Sequence, residues 1–296
     1  MFGADGDDGG PGACVRIPET QPGDHIRRAG EDVPAGNAVI AAGTELGPAE
    51  VAVLAALGMA TVRCGGAPRV TVLVTGDELV EPGLPLGPGQ IRDSNAYALA
   101  AQATRAGAEV IERRIVRDER DGTEAAFAAA LRESDVVIGS GGVSVGPHDH
   151  VKPALKALGV EEVFWGVRLK PGKPTWFGRA SDGRTLVFGL PGNPVSAMIT
   201  FHLFARPALR ALAGADPGGG TRVRGVLDVA VPRSPSREQV IRCRLDAQED
   251  GFHVRPTKEQ GSHVLTSMLG AGAYALVPAG DGELEVGSRV DIELVP

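Results

Sequence analysis

Four short segments hold the residues whose types and spacing could do chemistry. Thr75-Gly-Asp-Glu78 places two adjacent carboxylates, Asp77 and Glu78, just after an apolar run. Such a pair can serve a hard cation, one residue ligating and the other orienting, or stand as a solvated acidic pair. Gly139-Ser-Gly-Gly-Val-Ser-Val-Gly146 is glycine-rich, so backbone N–H groups can crowd inward as an anion nest, with Ser140 and Ser144 adding hydroxyl donors. It is neither a Walker loop nor a GxGxxG turn, and a phosphate site and a ligand-free turn both remain open. Asp149, just beyond it, could hold Mg²⁺ against a phosphate or cap the following helix.

Two further turns are stiff. Lys170-Pro-Gly-Lys-Pro174 fixes two ammonium groups, an arrangement suited to a doubly charged oxyanion or a phosphate, or else to solvent. Leu190-Pro-Gly-Asn-Pro194 brackets Gly192 and Asn193 with prolines and then opens a helix, as an anion-binding turn or a purely structural one. His148, His150, His202 and His263 lack the spacing of a zinc triad, and Ser144 lacks a nucleophile-elbow context.

The elements that must position these loops alternate. Val70–Val74 is an apolar run of the kind buried on both faces of a parallel sheet, and Asn95–Ala106 reads as a helix closed by Gly107. Strands are expected at 109–116, 135–138, 162–169 and 185–188, and helices at 123–132, 150–158 and 195–212. That alternation predicts an α/β domain over 67–214, with a doubly wound, mostly parallel sheet whose ligands sit beyond the carboxyl ends of its strands. After the linker Asp216-Pro-Gly-Gly-Gly220, short alternating strands at 223–231, 239–245, 252–256, 273–277 and 289–295 predict a small all-β barrel over 221–296. Ahead of the α/β domain, residues 1–22 read as a disordered leader. Residues 23–66 read as a partial N-terminal segment of short β-like pieces and a helix from Pro48 to Gly58.

Bulk properties exclude several classes. Net charge is −7 with no basic run, and aromatic residues make up 4%, which argues against a nucleic-acid surface. No apolar stretch is long enough to span a bilayer and no secretory signal is present, so a cytoplasmic protein without membrane partners is expected. Cys14, Cys64 and Cys243 are too far apart for a zinc site or a disulfide framework.

The order of the loops carries more than any one of them. Thr75-Gly-Asp-Glu-Leu79, Ile91-Arg-Asp-Ser-Asn95, Val116-Arg-Asp118, Ser140-Gly-Gly-Val-Ser-Val-Gly146 with Asp149, Lys170-Pro-Gly-Lys-Pro174 and Leu190-Pro-Gly-Asn-Pro-Val-Ser196 occur in sequence. In this the chain resembles the MoeA-type molybdopterin molybdenumtransferases, whose eukaryotic relatives include the gephyrin E domain. Arg242-Cys-Arg244 and Gln260-Gly-Ser262 fall where that family carries its Arg and Gln-x-Ser signatures. The likeness runs from about residue 21 to 296. The chain lacks the family's Ser-x-Met-Asp-Gly motif and enters the pattern partway, at about Gly23, as an N-terminally truncated member would. Gly166 replaces a Lys often found ahead of the Lys-Pro turn, with Arg168 nearby.

The resemblance implies a role in molybdenum cofactor biosynthesis: insertion of molybdate into adenylylated molybdopterin, assisted by Mg²⁺, with release of AMP. It implies Glu78, Asp118 and Asp149 as catalytic, Mg²⁺-holding acids. Thr75, Asp77, Ser140, Gly141, Gly142, Ser144, Lys170, Lys173, Pro191, Asn193, Pro194 and Ser262 would bind substrate. It further implies a homodimer in which the C-terminal domain of one subunit completes the other's site. A non-catalytic pterin or molybdate carrier is the competing expectation.

Overall fold

In the computed structural model, residues 19–143, 149–218, 221–257 and 259–295 are described. The chain divides into two compact units, Met1–Thr44 and Glu45–Pro296. Residues 19–44 contain turns and bends and no strand, so the β-like pieces expected there do not form. Their backbone bonds reach only three residues along the chain, as in Asp24 N–H to the Gln21 carbonyl at 2.9 Å. A strand needs a neighbour to satisfy its ladder, and among the described residues this unit supplies none. The second unit opens with helix α1 (Pro48–Ala56), with Pro48 at its first turn and no residue buried.

The α/β region runs β1 (Arg69–Thr75), the short pair β2 (Leu79–Val80) and β3 (Ile91–Arg92), α2 (Asn95–Arg105), β4 (Glu109–Val116), α3 (Arg120–Glu133), β5 (Val136–Ser140) and α4 (Val151–Ala157). It continues with β6 (Glu161–Trp165), β7 (Leu169–Lys170), β8 (Trp176–Arg179), β9 (Leu186–Leu190), α5 (Pro194–Thr200) and α6 (Arg206–Leu212). Six strands form one sheet in the order β4-β1-β5-β9-β8-β6. The first four are mutually parallel and the last two antiparallel. Side chains of β1 alternate between the faces: Val70, Val72 and Val74 pack under α2 and α5, while Leu73 packs with α3 and α4. Helices thus cover both faces, which explains why β1 beyond Arg69 and all of β5 are buried and mostly apolar.

Three elements depart from the expectation. The strand predicted over 162–169 ends at Trp165, because Gly166 turns the chain with φ +81°. Leu169 and Lys170 then pair in parallel with Glu238 and Gln239 of the C-terminal region, outside the α/β sheet. The single helix expected over 195–212 is interrupted by a π turn at Phe201–Ala205. Pro207 accounts for it: with no N–H to give the Leu203 carbonyl and a ring that collides with it, the proline forces the ladder to widen.

The C-terminal region contributes β10 (Arg222–Leu227), β11 (Val231–Pro232), β12 (Glu238–Gln248), β13 (Gly251–Pro256), β14 (Ala273–Val277), β15 (Glu283–Leu284) and β16 (Arg289–Leu294). Strands β13-β10-β16-β14-β12 are hydrogen-bonded in that order, and β12 pairs again with β13, closing a five-stranded barrel. Its interior is filled by Leu227, Cys243, Val254, Ala275 and Ile292, alternate residues of successive strands. Burial pushes the Cys243 thiol up to about 12, so it behaves as a small apolar residue. Among the described residues, no helix is long and apolar enough to cross a membrane.

Candidate active-site cleft

A cleft of about 1300 Å³ lies between the carboxyl ends of the parallel strands and the barrel. Each wall follows from local chain geometry. Strand β1 ends at Thr75, and Gly76 leads into Asp77 and Glu78; Glu78 lines the cleft, while the Asp77 carboxylate accepts the Asp118 N–H at 3.2 Å. Strand β4 delivers Asp118 beside them. Burial, then the nearby Asp77 and Glu78 carboxylates, raises the Asp118 carboxyl above its ordinary range.

Strand β5 runs into Gly141 and Gly142, both at positive φ and both on the cleft surface. A Cβ on Gly141 would come within 2.7 Å of the Thr75 carbonyl, so the close approach of these two loops requires glycine. Ser140 departs from its expected role. It is fully buried, accepts a hydrogen bond from Asn95 Nδ2 at 2.9 Å and donates to the Pro191 carbonyl at 3.1 Å, so its hydroxyl ties loops together instead of facing the cleft. Ser144 lies outside the described residues.

Lys170 and Lys173 line the opposite side, on a turn whose Lys170-Pro171 peptide is cis. Pairing of Lys170 with Gln239 pins the start of that turn to the barrel. Pro191, Asn193 and Pro194 complete the α/β wall, and Ser262 comes from the barrel loop that follows Gln260. That loop is anchored from beneath. Arg242, fully buried, donates from its N–H to Gln260 Oε1 at 3.0 Å and from its guanidinium to the Glu259 carbonyl at 2.9 Å. Gln260 Nε2 returns a bond to the Arg242 carbonyl at 3.0 Å. The Ser262 carbonyl accepts the Val195 N–H at 3.3 Å, so the loop is also tied to the start of α5. The barrel of the same chain therefore supplies this wall.

Asp149 is placed differently from Glu78 and Asp118. It does not line the cleft; its carboxylate faces the backbone amides of Val151 and Lys152 at the start of α4. Burial raises it to about 6, only partly offset by the Lys152 ammonium and the amides of Lys152 and Val151. His150 lies near enough to both Asp149 and Asp118 to oppose slightly the rise of each carboxyl. Among the described residues, no group of three His, Cys, Asp or Glu side chains is gathered as a ready-made metal cage. Glu78 and Asp118, with Asp77 behind them, are the acids that face the cleft. That donor set suits Mg²⁺, which takes one or two carboxylates and completes its shell with water and substrate phosphate.

Sequence reasoning missed several cleft residues. Asn95 reads as the first residue of a helix, yet its amide bridges Ser140 and the Gly192 carbonyl at 2.7 Å. Asp93, which with Ser94 reads from the sequence as opening α2, does cap it through a 3.0 Å bond from the Ala96 N–H; its place on the cleft wall was not expected, and burial, at 2% exposure, raises its carboxyl. Arg92 and Arg237 add two guanidinium groups to the cleft wall. For Asn95 the signal was present in Ile91-Arg-Asp-Ser-Asn95; Arg237 has none beyond its charge.

Comparison with known proteins matches this architecture region by region. Residues 71–211 match the family described as "Probable molybdopterin binding domain". Residues 224–295 match the "MoeA C-terminal region (domain IV)" and residues 7–58 the "MoeA N-terminal region (domain I and II)". The chain is 36% identical to the molybdopterin molybdenumtransferase of Haemophilus influenzae over 275 residues, covering 92% of this chain and 67% of that protein. It is also 36% identical to molybdopterin molybdenumtransferase 2 of Mycobacterium tuberculosis over 296 residues, covering 96% and 71%. A crystal structure of the molybdopterin biosynthesis MoeA protein from Pyrococcus horikoshii superposes with a TM-score of 0.72 at 30% identity, covering 90% of this chain and 63% of that one. The chain thus spans roughly two thirds of the length of these relatives. On the strength of all three matched regions, the chain belongs to the MoeA family of molybdopterin molybdenumtransferases.

Proposed function

We propose that this protein acts in molybdenum cofactor biosynthesis by inserting molybdate into adenylylated molybdopterin and releasing AMP. The observation that carries the reading is one cleft in which Lys170 and Lys173 share a wall system with Glu78 and Asp118, with Ser262 of the barrel completing it. Molybdate carries two negative charges and the phosphoanhydride about as many. On a protein of net charge −7, binding them requires local cations and N–H donors.

In this reading Lys170 and Lys173 hold the oxyanions and the Gly141-Gly142 backbone receives phosphate oxygens. Glu78 and Asp118 hold Mg²⁺ together with the phosphoanhydride. When bound, the ion neutralises charge that develops on the phosphate oxygens as the anhydride P–O bond is hydrolysed. Thr75, Pro191, Asn193 and Pro194 shape the floor. Asp77 orients the Asp118 backbone, and Asp149 stands behind these acids at the start of α4. The reading extends to a homodimer, supported by Val51, Leu57, Met59 and Val62 on and after α1, which are 39–55% exposed. Light scattering is expected to give twice the chain mass; a monomer at micromolar concentration contradicts that part.

The test is AMP release from adenylylated molybdopterin with molybdate and Mg²⁺, run beside Glu78→Ala. Release by the wild type and a loss of about a hundredfold or more in the variant are expected, since the acid acts on charge that develops during the reaction. Equal rates in both, or pterin binding with no AMP, would leave a carrier as the correct description.

A further inference from the structure

A second cavity, of about 150 Å³, sits where α2 and the π turn meet the barrel, away from the cleft. Its polar lining is mismatched. His202 is 4% exposed, and its Nε2 stands 3.8 Å from Glu293 Oε2, long for a hydrogen bond but close enough to act on that carboxylate. Gln102 gives its Nε2 to the Met198 carbonyl at 3.2 Å, but its buried Oε1 meets no donor. Arg206 is partly buried; it reaches the Thr221 hydroxyl at 3.4 Å and feels the Glu293 and Glu45 carboxylates without an ion pair to either among the described residues. Arg105 stands at the rim, without an ion pair among the described residues. The remaining wall is apolar, with Met198, Met268 and Tyr274 prominent.

Each feature specifies part of a ligand. Among the described residues neither guanidinium is ion-paired, Glu293 and Glu45 acting on Arg206 only from a distance, so the pair can still take an anion, and the planar fork of arginine matches a carboxylate. An orphaned buried acceptor calls for a donor, because a buried oxygen left unpaired keeps its full desolvation penalty. A cavity of about 150 Å³ is the size that holds a molecule of about six heavy atoms. The apolar wall gives such a molecule a place for a hydrocarbon body.

We propose that this cavity binds a short-chain 2-hydroxycarboxylate. Its carboxylate pairs with Arg206 and Arg105, its hydroxyl donates to Gln102 Oε1, and its alkyl end packs on Met198, Met268 and Tyr274. Because the site spans the α/β region and the barrel, occupancy joins two elements that also wall the cleft.

Calorimetric titration of the full chain with 2-hydroxybutyrate tests this, with butyrate and inorganic phosphate as comparison probes. 2-Hydroxybutyrate is expected to bind more tightly than either, the first lacking the hydroxyl and the second the alkyl body. Arg206→Gln is expected to weaken binding about tenfold or more, the scale of a lost charged hydrogen bond. Gln102→Leu is expected to bring 2-hydroxybutyrate down to the level of butyrate, and Lys173→Ala in the cleft to change nothing. Circular dichroism checks each variant's fold, and Ala271→Leu, which fills the cavity, abolishes binding by volume alone if Arg206→Gln fails to fold. Absence of saturable binding at millimolar 2-hydroxybutyrate overturns the proposal. So does binding that Lys173→Ala removes, that Ala271→Leu leaves intact, or that phosphate matches.

Discussion

Asn95 and Ser140 are 45 residues apart in sequence and joined at 2.9 Å, Asn95 Nδ2 donating to the serine hydroxyl while its other amide hydrogen goes to the Gly192 carbonyl. Because Ser140 in turn donates to Pro191, one buried amide locks the start of α2, the glycine loop and the Pro-Gly-Asn turn into a single frame. The cleft's geometry depends on that frame more than on any exposed side chain.

Asn95→Leu should therefore disable the site without removing a cleft-facing charge. It leaves the Gly192 carbonyl and the Ser140 hydroxyl without their donor, costing about 2–4 kcal/mol for two buried bonds. Urea unfolding should show that loss, and AMP release should fall more steeply than stability alone explains. A variant with wild-type turnover would show that the three loops hold their positions unaided.

Gly141→Ala tests the close approach of the same loops. The added Cβ would lie 2.7 Å from the Thr75 carbonyl at a residue with φ +88°, so both backbone conformation and space oppose it. A cost of about 1–3 kcal/mol is expected, with weakened phosphate-end binding of the pterin. Unchanged melting temperature and affinity would contradict the packing described.

Asp149→Asn should stabilise the protein at neutral pH. Folding raises this carboxyl from 3.8 to about 6, so the folded state binds the proton more tightly. Stability contributed by the group is therefore greatest at low pH and falls as pH rises from about 4 to about 6. At pH 7 the asparagine variant is expected to gain on the order of 2 kcal/mol after partial screening, and at pH 3.5 nothing. Its AMP release should fall at the same time. A variant destabilised equally at both pH values would show that Asp149 is structural.

Glu293 has the opposite sign. Burial alone would push its carboxyl up, but the His202 ring, the Arg222 guanidinium at 2.6 Å and the Thr221 hydroxyl at 3.0 Å outweigh it and hold it at about 2. Its stabilisation is present above about 4.5 and is lost as pH falls toward 2. Glu293→Gln should cost roughly 2 kcal/mol at pH 7, with the difference shrinking below pH 4. A pH-independent difference in unfolding free energy would rule out the charge as the cause.

Much of this was legible in the sequence because of where each signal resides. Strands β1 and β5 announce themselves as mostly apolar runs without polar alternation, since a parallel sheet covered on both faces leaves no solvent-facing side. Loops at their ends were recognisable from glycine and proline, which act locally. What escaped depends on contacts distant in sequence. Leu169-Lys170 becomes a strand only because Glu238-Gln239 lies alongside, and Trp176–Arg179 only because β9 and β6 flank it. Asp149 matches the acids of the cleft by motif, but packing sets it back from the surface that Glu78 and Asp118 share. Ser140 looks like an anion donor until Asn95 and Pro191 claim its hydroxyl. Residue type is written in the sequence; the direction in which a hydroxyl or carboxylate is used is set by neighbours.

Locating molybdenum bears most directly on the account. Crystals grown with adenylylated molybdopterin and molybdate, measured across the molybdenum absorption edge, should place the anomalous peak in the cleft, beside Lys170 and Lys173 and facing Ser262. A peak elsewhere on the molecule, or one that survives undiminished in a Lys170→Ala, Lys173→Ala double variant, would contradict it.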